Sequence, residues 1–297
     1  MRKQEPTPAQ EPVQEREMDP SIRPGGVFMM QLLMKDRAPL PPEAQMQAVL
    51  QAHVGAVEPV RGETTALFAA LDHTAQFKEG RLPVQLSILG CEPFQGRNIG
   101  EDKRAQMWDC QGERDRLLEE CRYAVLAHDL MAGGLPSRER ADLLMDYLEA
   151  LLELYPSCEA VYFINSGKLL LAQDIRNSQA TGPDRYVNFV VNARFFNITG
   201  TQDQVVDTLG LSLLYIEDLQ YHFHHMDPNW VVNHAYSLAS YLLNNDCPMK
   251  DGDSIDGIVD GQLAPEVQWP CHFEEALVAP ARAVLDVCMG EYAAGGR

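Results

Sequence analysis

"PSRERADLLMDYLEALLELYP" (136–156) is the stretch on which the reading of this 297-residue chain turns. Pro136 and Ser137 open a helix. Leu143, Leu144, Tyr147, Leu148, Leu151 and Leu154 then recur at helical spacing. The helix lies near the middle of the chain, so it is expected to join two halves, residues 26–135 and 136–297. Upstream, 26–36 reads as a buried strand, 42–55 as a helix stopped by Gly55, and 64–71 and 82–91 as strands. A long amphipathic helix over 101–122 and a strand over 123–130 complete the first half. That order is β-α-β-β-α-β, a ferredoxin-like unit. Downstream, 160–165, 185–198, 207–216 and 281–288 read as strands, with helices over 171–179 and 228–245. The predicted fold class is therefore α+β, with two βαββαβ-like halves joined by a helix.

Residues 1–25 contain Glu, Gln and Pro and no apolar core, so they read as a disordered leader rather than a secretory signal. The longest apolar run, "VFMMQLLM" from Val27, is far shorter than the ~20 residues of a membrane span. A soluble, cytoplasmic protein without membrane contact is expected. The formal net charge is −19. From Thr201 onward there are 15 acidic residues, and the basic ones are Lys250, Arg282 and Arg297, which gives −12 for that segment. Such a field repels phosphate backbones and excludes nucleic acid as a partner of this half, whereas a protein with a basic surface suits it. The seven cysteines form no C-x-x-C pair and read as reduced, mostly buried thiols.

"LQYHFHHMDPNW" (219–230) holds three histidines within four residues. On a strand, His222 and His224 project to one face and could supply two ligands to zinc, but no third ligand is visible in the spacing. The favoured reading is no metal, with a strand ending near His222 and Asp227–Pro228 starting a helix. His234, beside Ala235 and Leu238, reads as a core or boundary histidine. "KDGDSIDGIVDG" (250–261) fails the calcium-loop pattern, because Ile255 and Asp256 stand where a ligand and a glycine are needed. It reads as a surface loop shaped by Asp251, Asp253 and its glycines. "NSGK" (165–168) lacks the phosphate-loop frame, so Ser166 and Gly167 shape a turn. No nucleophile elbow, zinc-protease helix or dinucleotide fingerprint is present, and no cofactor is expected.

"DTLGL" (207–211), "DLQYHF" (218–223), Asp227–Pro228, "NHAYSLASYLLNN" (233–245) and "KDGDSI" (250–255) follow one another at spacings that resemble one bacterial family, domain of unknown function 4261. "AVYFINSG" (160–167) and "VFMMQLLM" are similar to further parts of it. The resemblance implies an intracellular bacterial α+β protein with Asp207, Asp218, His222, Asp251 and Asp253 as family-typical polar positions. It implies no activity.

Two function classes follow. One is a protein-interaction, adaptor or immunity-like module whose acidic C-terminal half meets a basic partner. The other is a hydrolase or small-ligand enzyme centred on His222 with Asp207 and Asp218, since a histidine beside carboxylates is acid–base equipment. The missing catalytic spacing favours the first.

Overall fold

The computed structural model describes residues 26–60, 65–77 and 80–295, so the expected leader over 1–25 lies outside the described residues. The chain begins with strand β1 (Met29–Met34), helix α1 (Glu43–Val54) and the strands β2 (Val57–Val60), β3 (Ala66–Phe77) and β4 (Gly80–Pro93). Two short helices, α2 (Glu101–Arg104) and α3 (Arg114–Glu120), lead to β5 (Tyr123–Leu130). Helix α4 (Ser137–Leu154) precedes β6 (Ala160–Phe163), β7 (Lys168–Leu171), α5 (Ala172–Asn177) and α6 (Asp184–Phe189). The remainder is β8 (Asn192–Asn197), β9 (Gln204–Leu209), β10 (Asp218–Phe223), α7 (Pro228–Asn244), β11 (Ser254–Val259), β12 (Gln262–Glu275) and β13 (Ala283–Val287).

Two sheets result, and with the helices they make an α+β fold. The first has the order β2-β3-β4-β5-β1-β6-β7, with every pair antiparallel. The second has the order β11-β12-β13-β10-β9-β8, and only β10 and β13 run parallel. The first sheet draws its strands from both sides of the boundary expected at 135/136, since β6 and β7 follow α4.

β1 is apolar at nearly every position because both faces of its sheet are covered. Met30, Leu32 and Met34 face the main core with α1 and α4, while Leu33 faces a second cluster with Met107, Leu117, Leu118 and Cys121. Eleven of the 18 residues of α4 are buried, more than one stripe can account for, because the helix packs on α1, α5, α6 and α7. Arg140, inside α4, is 1% exposed and pairs with Asp129 at 3.1 Å. It also donates to the carbonyl oxygens of Leu213 and Gly26, which ties the first sheet to the second half.

The halves are not ferredoxin-like. That fold places the first strand between the third and fourth, whereas here β5 sits between β4 and β1 and pairs with both. The cause lies in 101–122, which does not form the expected single helix. Gly100 and Gly112 flank α2 and a 3-10 turn at Trp108–Cys110, and α3 starts only after Gly112, so this broken path covers the outer face instead of crossing over. What the halves share is a strand–helix–three-strand unit, β1-α1-β2-β3-β4 and β10-α7-β11-β12-β13. In the second, β13 returns directly beside β10, and in the first β5 is wedged in between.

Three further expectations are corrected. The run 185–198 is not one strand but α6 followed by β8. β9 ends at Leu209 and yields to a 3-10 turn at Leu211–Leu214. Residues 254–261 are not a surface loop: they form β11 and a two-residue turn into β12, with Asp260 and Gly261 at φ 49° and 76°. Positive φ at both central residues is the hairpin turn that Asp-Gly favours.

Candidate functional site

Side chains alternate along a strand. On β10, Leu219, Tyr221 and Phe223 therefore enter the core under α7, and Asp218, Gln220 and His222 take the opposite face. Asp207 pairs with Gln220 across β9 and Arg194 pairs with Asp207 across β8, so both share that face. Asp286 of β13 pairs with Gln220 and joins them.

This polar face is closed, not open. Residues 276–282, between β12 and β13, fold over it as a strap. The Leu277 N–H donates to Gln220 Oε1 at 2.7 Å, Arg194 Nη1 to Ala279 O at 2.9 Å, and Arg282 Nη1 to Pro280 O at 3.0 Å. Beneath the strap, Asp207 is 0% exposed and accepts from Arg194 Nε at 2.8 Å and Arg282 Nη2 at 2.7 Å. Asp218, also fully buried, accepts from the Leu211 N–H at 3.0 Å and lies 3.3 Å from Arg282 Nε. That last pair is close enough for an ion pair but is not aligned as a hydrogen bond. Burial pushes the Asp218 carboxyl up to about 6, against the opposing pull of Arg282. Two carboxylates are thus matched by two guanidiniums in a water-excluded cluster, with Gln220 Nε2 donating to Asp286 at 2.7 Å beside them.

His222 stands apart from the aspartates. Its Nε2 is buried, has no hydrogen bond among the described residues, and lies 3.9 Å from Asp203 Oδ2. Its ring rests on Gly295, where an added Cβ would come within 2.9 Å of Nδ1. Among the described residues no hydrogen bond or ion pair links His222 to Asp207 or Asp218. His224 packs on the ring of His225 at 4.6 Å, and His225 meets Gln202 Oε1 at 3.2 Å. No group of three or more histidine, cysteine or acidic side chains arranged for a metal occurs among the described residues.

The remaining sequence-singled residues organise turns. Asp227 caps α7, accepting from the Asn229 N–H at 2.8 Å, with Pro228 as the first helical residue. Asp253 accepts from the Lys250 N–H at 2.7 Å and Asp251 from the Phe273 N–H at 3.0 Å, which fixes the entry to β11 against β12. Gly167, at φ 71°, and Ser166 turn β6 into β7, and Ser166 O accepts from Asn192 Nδ2 at 3.1 Å. His234 is 6% exposed. The Asp256 carbonyl accepts from its Nε2 at 2.8 Å, so Nδ1 is left to accept from the Tyr221 hydroxyl at 2.9 Å. Burial lowers its proton affinity, which agrees with the neutral tautomer those partners require.

Sequence reasoning does not single out Lys168. It is 1% exposed and its Nζ donates to Asn188 O at 2.8 Å and Val191 O at 2.9 Å. Nor does it find Arg194, Gln220 or Asp286. Arg282 offers a signal, being one of only three cations after Thr201.

α7 carries no Asp, Glu, Lys or Arg, although one side of it faces out. Trp230 and Tyr241 are 37% and 49% exposed, with Asn233 and Ser237 between them on the same side. The Trp230 indole lies over Gly261, where a Cβ would come within 2.8 Å of its Nε1. Val259 and Leu263, flanking that turn, are 48% and 57% exposed. Carboxylates ring the area: Asp227 at the start of α7, Asp246 past its end, Asp260 beside Gly261, and Asp184, which accepts from Asn244 Nδ2 at 2.9 Å.

Residues 207–288 match a family model described as Domain of unknown function (DUF4261). The match runs from Asp207 in β9 to just beyond β13. It takes in Asp218, Gln220, His222, Arg282 and Asp286, and leaves out Arg194 and the 160–167 motif. No curated protein and no solved structure matches the chain.

Proposed function

Starting from a chain whose residues 207–288 match that family, we propose a protein-interaction module, an adaptor or immunity-like protein of the bacterial cytoplasm, that binds a partner with a basic surface. The observation that carries this reading is the uncharged, aromatic side of α7 with its rim of carboxylates. Interface centres are depleted of charge and enriched in Trp and Tyr, and their rims are polar. Trp230 and Tyr241 are 11 residues apart, so they stand about 16 Å apart along the helix. Asp184, Asp227, Asp246 and Asp260 would steer and orient a lysine- or arginine-rimmed surface.

The enzyme reading has less support. A general base needs access to a substrate proton, whereas Asp207 and Asp218 are held by guanidiniums under the strap. Two surface grooves, one lined by Arg97, Arg104 and Arg122 and the other by Glu149, Ile175 and Arg185, include neither of them.

The test is affinity capture from the chain's own host, followed by titration of the identified, purified partner. The reading expects a partner with a basic face whose affinity falls at least about tenfold for Trp230→Ala/Tyr241→Ala, as removal of aromatic anchors does. Equal affinity for the double variant would overturn it.

A further inference from the structure

A second surface feature is independent of the α7 face. A groove of about 430 Å³ opens between residues 94–97, Arg104 and α3. Phe94, Leu118 and Cys121 supply its apolar lining, and Arg97, Arg104 and Arg122 its cations.

None of the three guanidiniums forms an ion pair among the described residues, so together they concentrate positive charge on one groove of a chain whose net charge is −19. Arg104 is locked by main-chain acceptors: its Nε donates to Ile99 O at 2.8 Å and its Nη2 to Gly96 O at 2.9 Å. Its Nη1 makes no hydrogen bond to the described residues. The backbone of Arg122 is fixed on both sides, its N–H donating to Met34 O at 3.0 Å and its carbonyl accepting from the Phe94 N–H at 2.7 Å. Its side chain has no polar partner among the described residues. Arg97 rests on the neutral Gln95 Oε1, at 3.1 and 3.3 Å. Of the two carboxylates that also line the groove, Asp115 is already engaged by Arg114 at 2.9 and 3.1 Å, leaving Glu119.

The groove is also preformed. A Cβ on Gly96 would lie 2.2 Å from Leu118 O, so the turn is seated directly on α3 and its shape does not depend on flexible side chains.

We propose that this groove binds a phosphate monoester of a small aromatic or apolar group. A phosphate monoester brings about two negative charges and three strong acceptor oxygens, which can take the open fork of Arg122 together with the remaining N–H groups of Arg97 and Arg104, whereas a carboxylate is filled by one fork. The apolar lining receives the organic part, and the volume falls in the range of small-molecule sites.

Isothermal titration in low-salt buffer with phenyl phosphate, benzoate and inorganic phosphate tests this. Phenyl phosphate is expected to saturate at one per chain and to bind about tenfold tighter than either of the others, because each of them lacks one half of the match. Arg122→Ala and Arg97→Ala should each weaken it about fivefold or more, while Arg81→Ala, on β4 away from the groove, should not. Unchanged thermal melts show that these exposed substitutions leave the fold intact. Unsaturable heats, equal affinity for benzoate, or an equal loss in Arg81→Ala would overturn the proposal.

Discussion

Arg282 reaches 75 residues back along the chain to donate its Nη2 to Asp207 Oδ2 at 2.7 Å, and Asp207 is shut off from water beneath the strap that carries the half-buried Arg282. Removing the cation would leave two buried carboxylates with Arg194 alone. Arg282→Met is therefore expected to destabilise the fold by about 3–5 kcal/mol, the cost of breaking a buried ion pair. Equilibrium urea unfolding measures it. A loss below about 1 kcal/mol would mean that the cluster is hydrated and the strap loose.

The same cluster gives a pH dependence with a definite sign. Asp218 is raised from 3.8 to about 6, so the folded state holds its proton more tightly than the unfolded chain. Its contribution to stability is fully present below pH 3.8 and is lost as the pH rises through about 6. Asp218→Asn cannot lose a proton there. The stability of Asp218→Asn relative to the parent should then rise between pH 4 and 7, by up to about 3 kcal/mol, since each tenfold change in proton affinity is worth roughly 1.4 kcal/mol. Paired unfolding curves across that range decide it, and a flat difference would contradict the burial of the carboxyl.

Lys168 pins the edge of the first sheet to main-chain carbonyls at the end of α6. Lys168→Met keeps the volume but strips Asn188 O of the ammonium donor and leaves Val191 O only the Tyr236 hydroxyl at 3.4 Å, with an expected cost of about 2–4 kcal/mol. Chemical denaturation checks it, and a neutral result would show that water replaces the ammonium.

The thiols are expected to be inert. Burial pushes Cys110, Cys158 and Cys271 up to about 12 and Cys121 and Cys247 up to about 11. Native protein at neutral pH should leave these five unmodified by iodoacetamide, and denatured protein should react throughout. Mass mapping of the labelled cysteines reads this directly, and rapid labelling of Cys110 or Cys158 in the native chain would contradict their burial.

The sequence reveals most where one local signal suffices. The leucine spacing of α4, the Asp227–Pro228 start of α7 and the apolar runs of β1 and β5 depend on near neighbours alone. It misleads where short segments carry no period. Six residues of α6 and six of β8, each mixing polar with apolar side chains and joined by Val190–Val191, are too short for either period to separate them. β11 and β12 escape for a different reason: Asp260-Gly261 lies in an acidic run that invites a cation-loop reading, although Asp-Gly between apolar runs is a strong hairpin signal. Within the candidate site, Asp207, Asp218 and His222 are legible as polar positions on strands. Their partners are not, because Arg194 and Arg282 reach them only through sheet pairing and a strap fixed by tertiary structure.

Whether α7 and the Asp260–Gly261 turn present a binding face for a basic partner, with His222 taking no part as a catalytic base, is tested most directly by one set of titrations. The identified partner would be titrated into the parent chain, Trp230→Ala/Tyr241→Ala and His222→Ala. The predicted result is a dissociation constant raised at least about tenfold for the double variant and unchanged for His222→Ala. Parent-like affinity in the double variant, or loss of binding with His222→Ala alone in a folded chain, would contradict it.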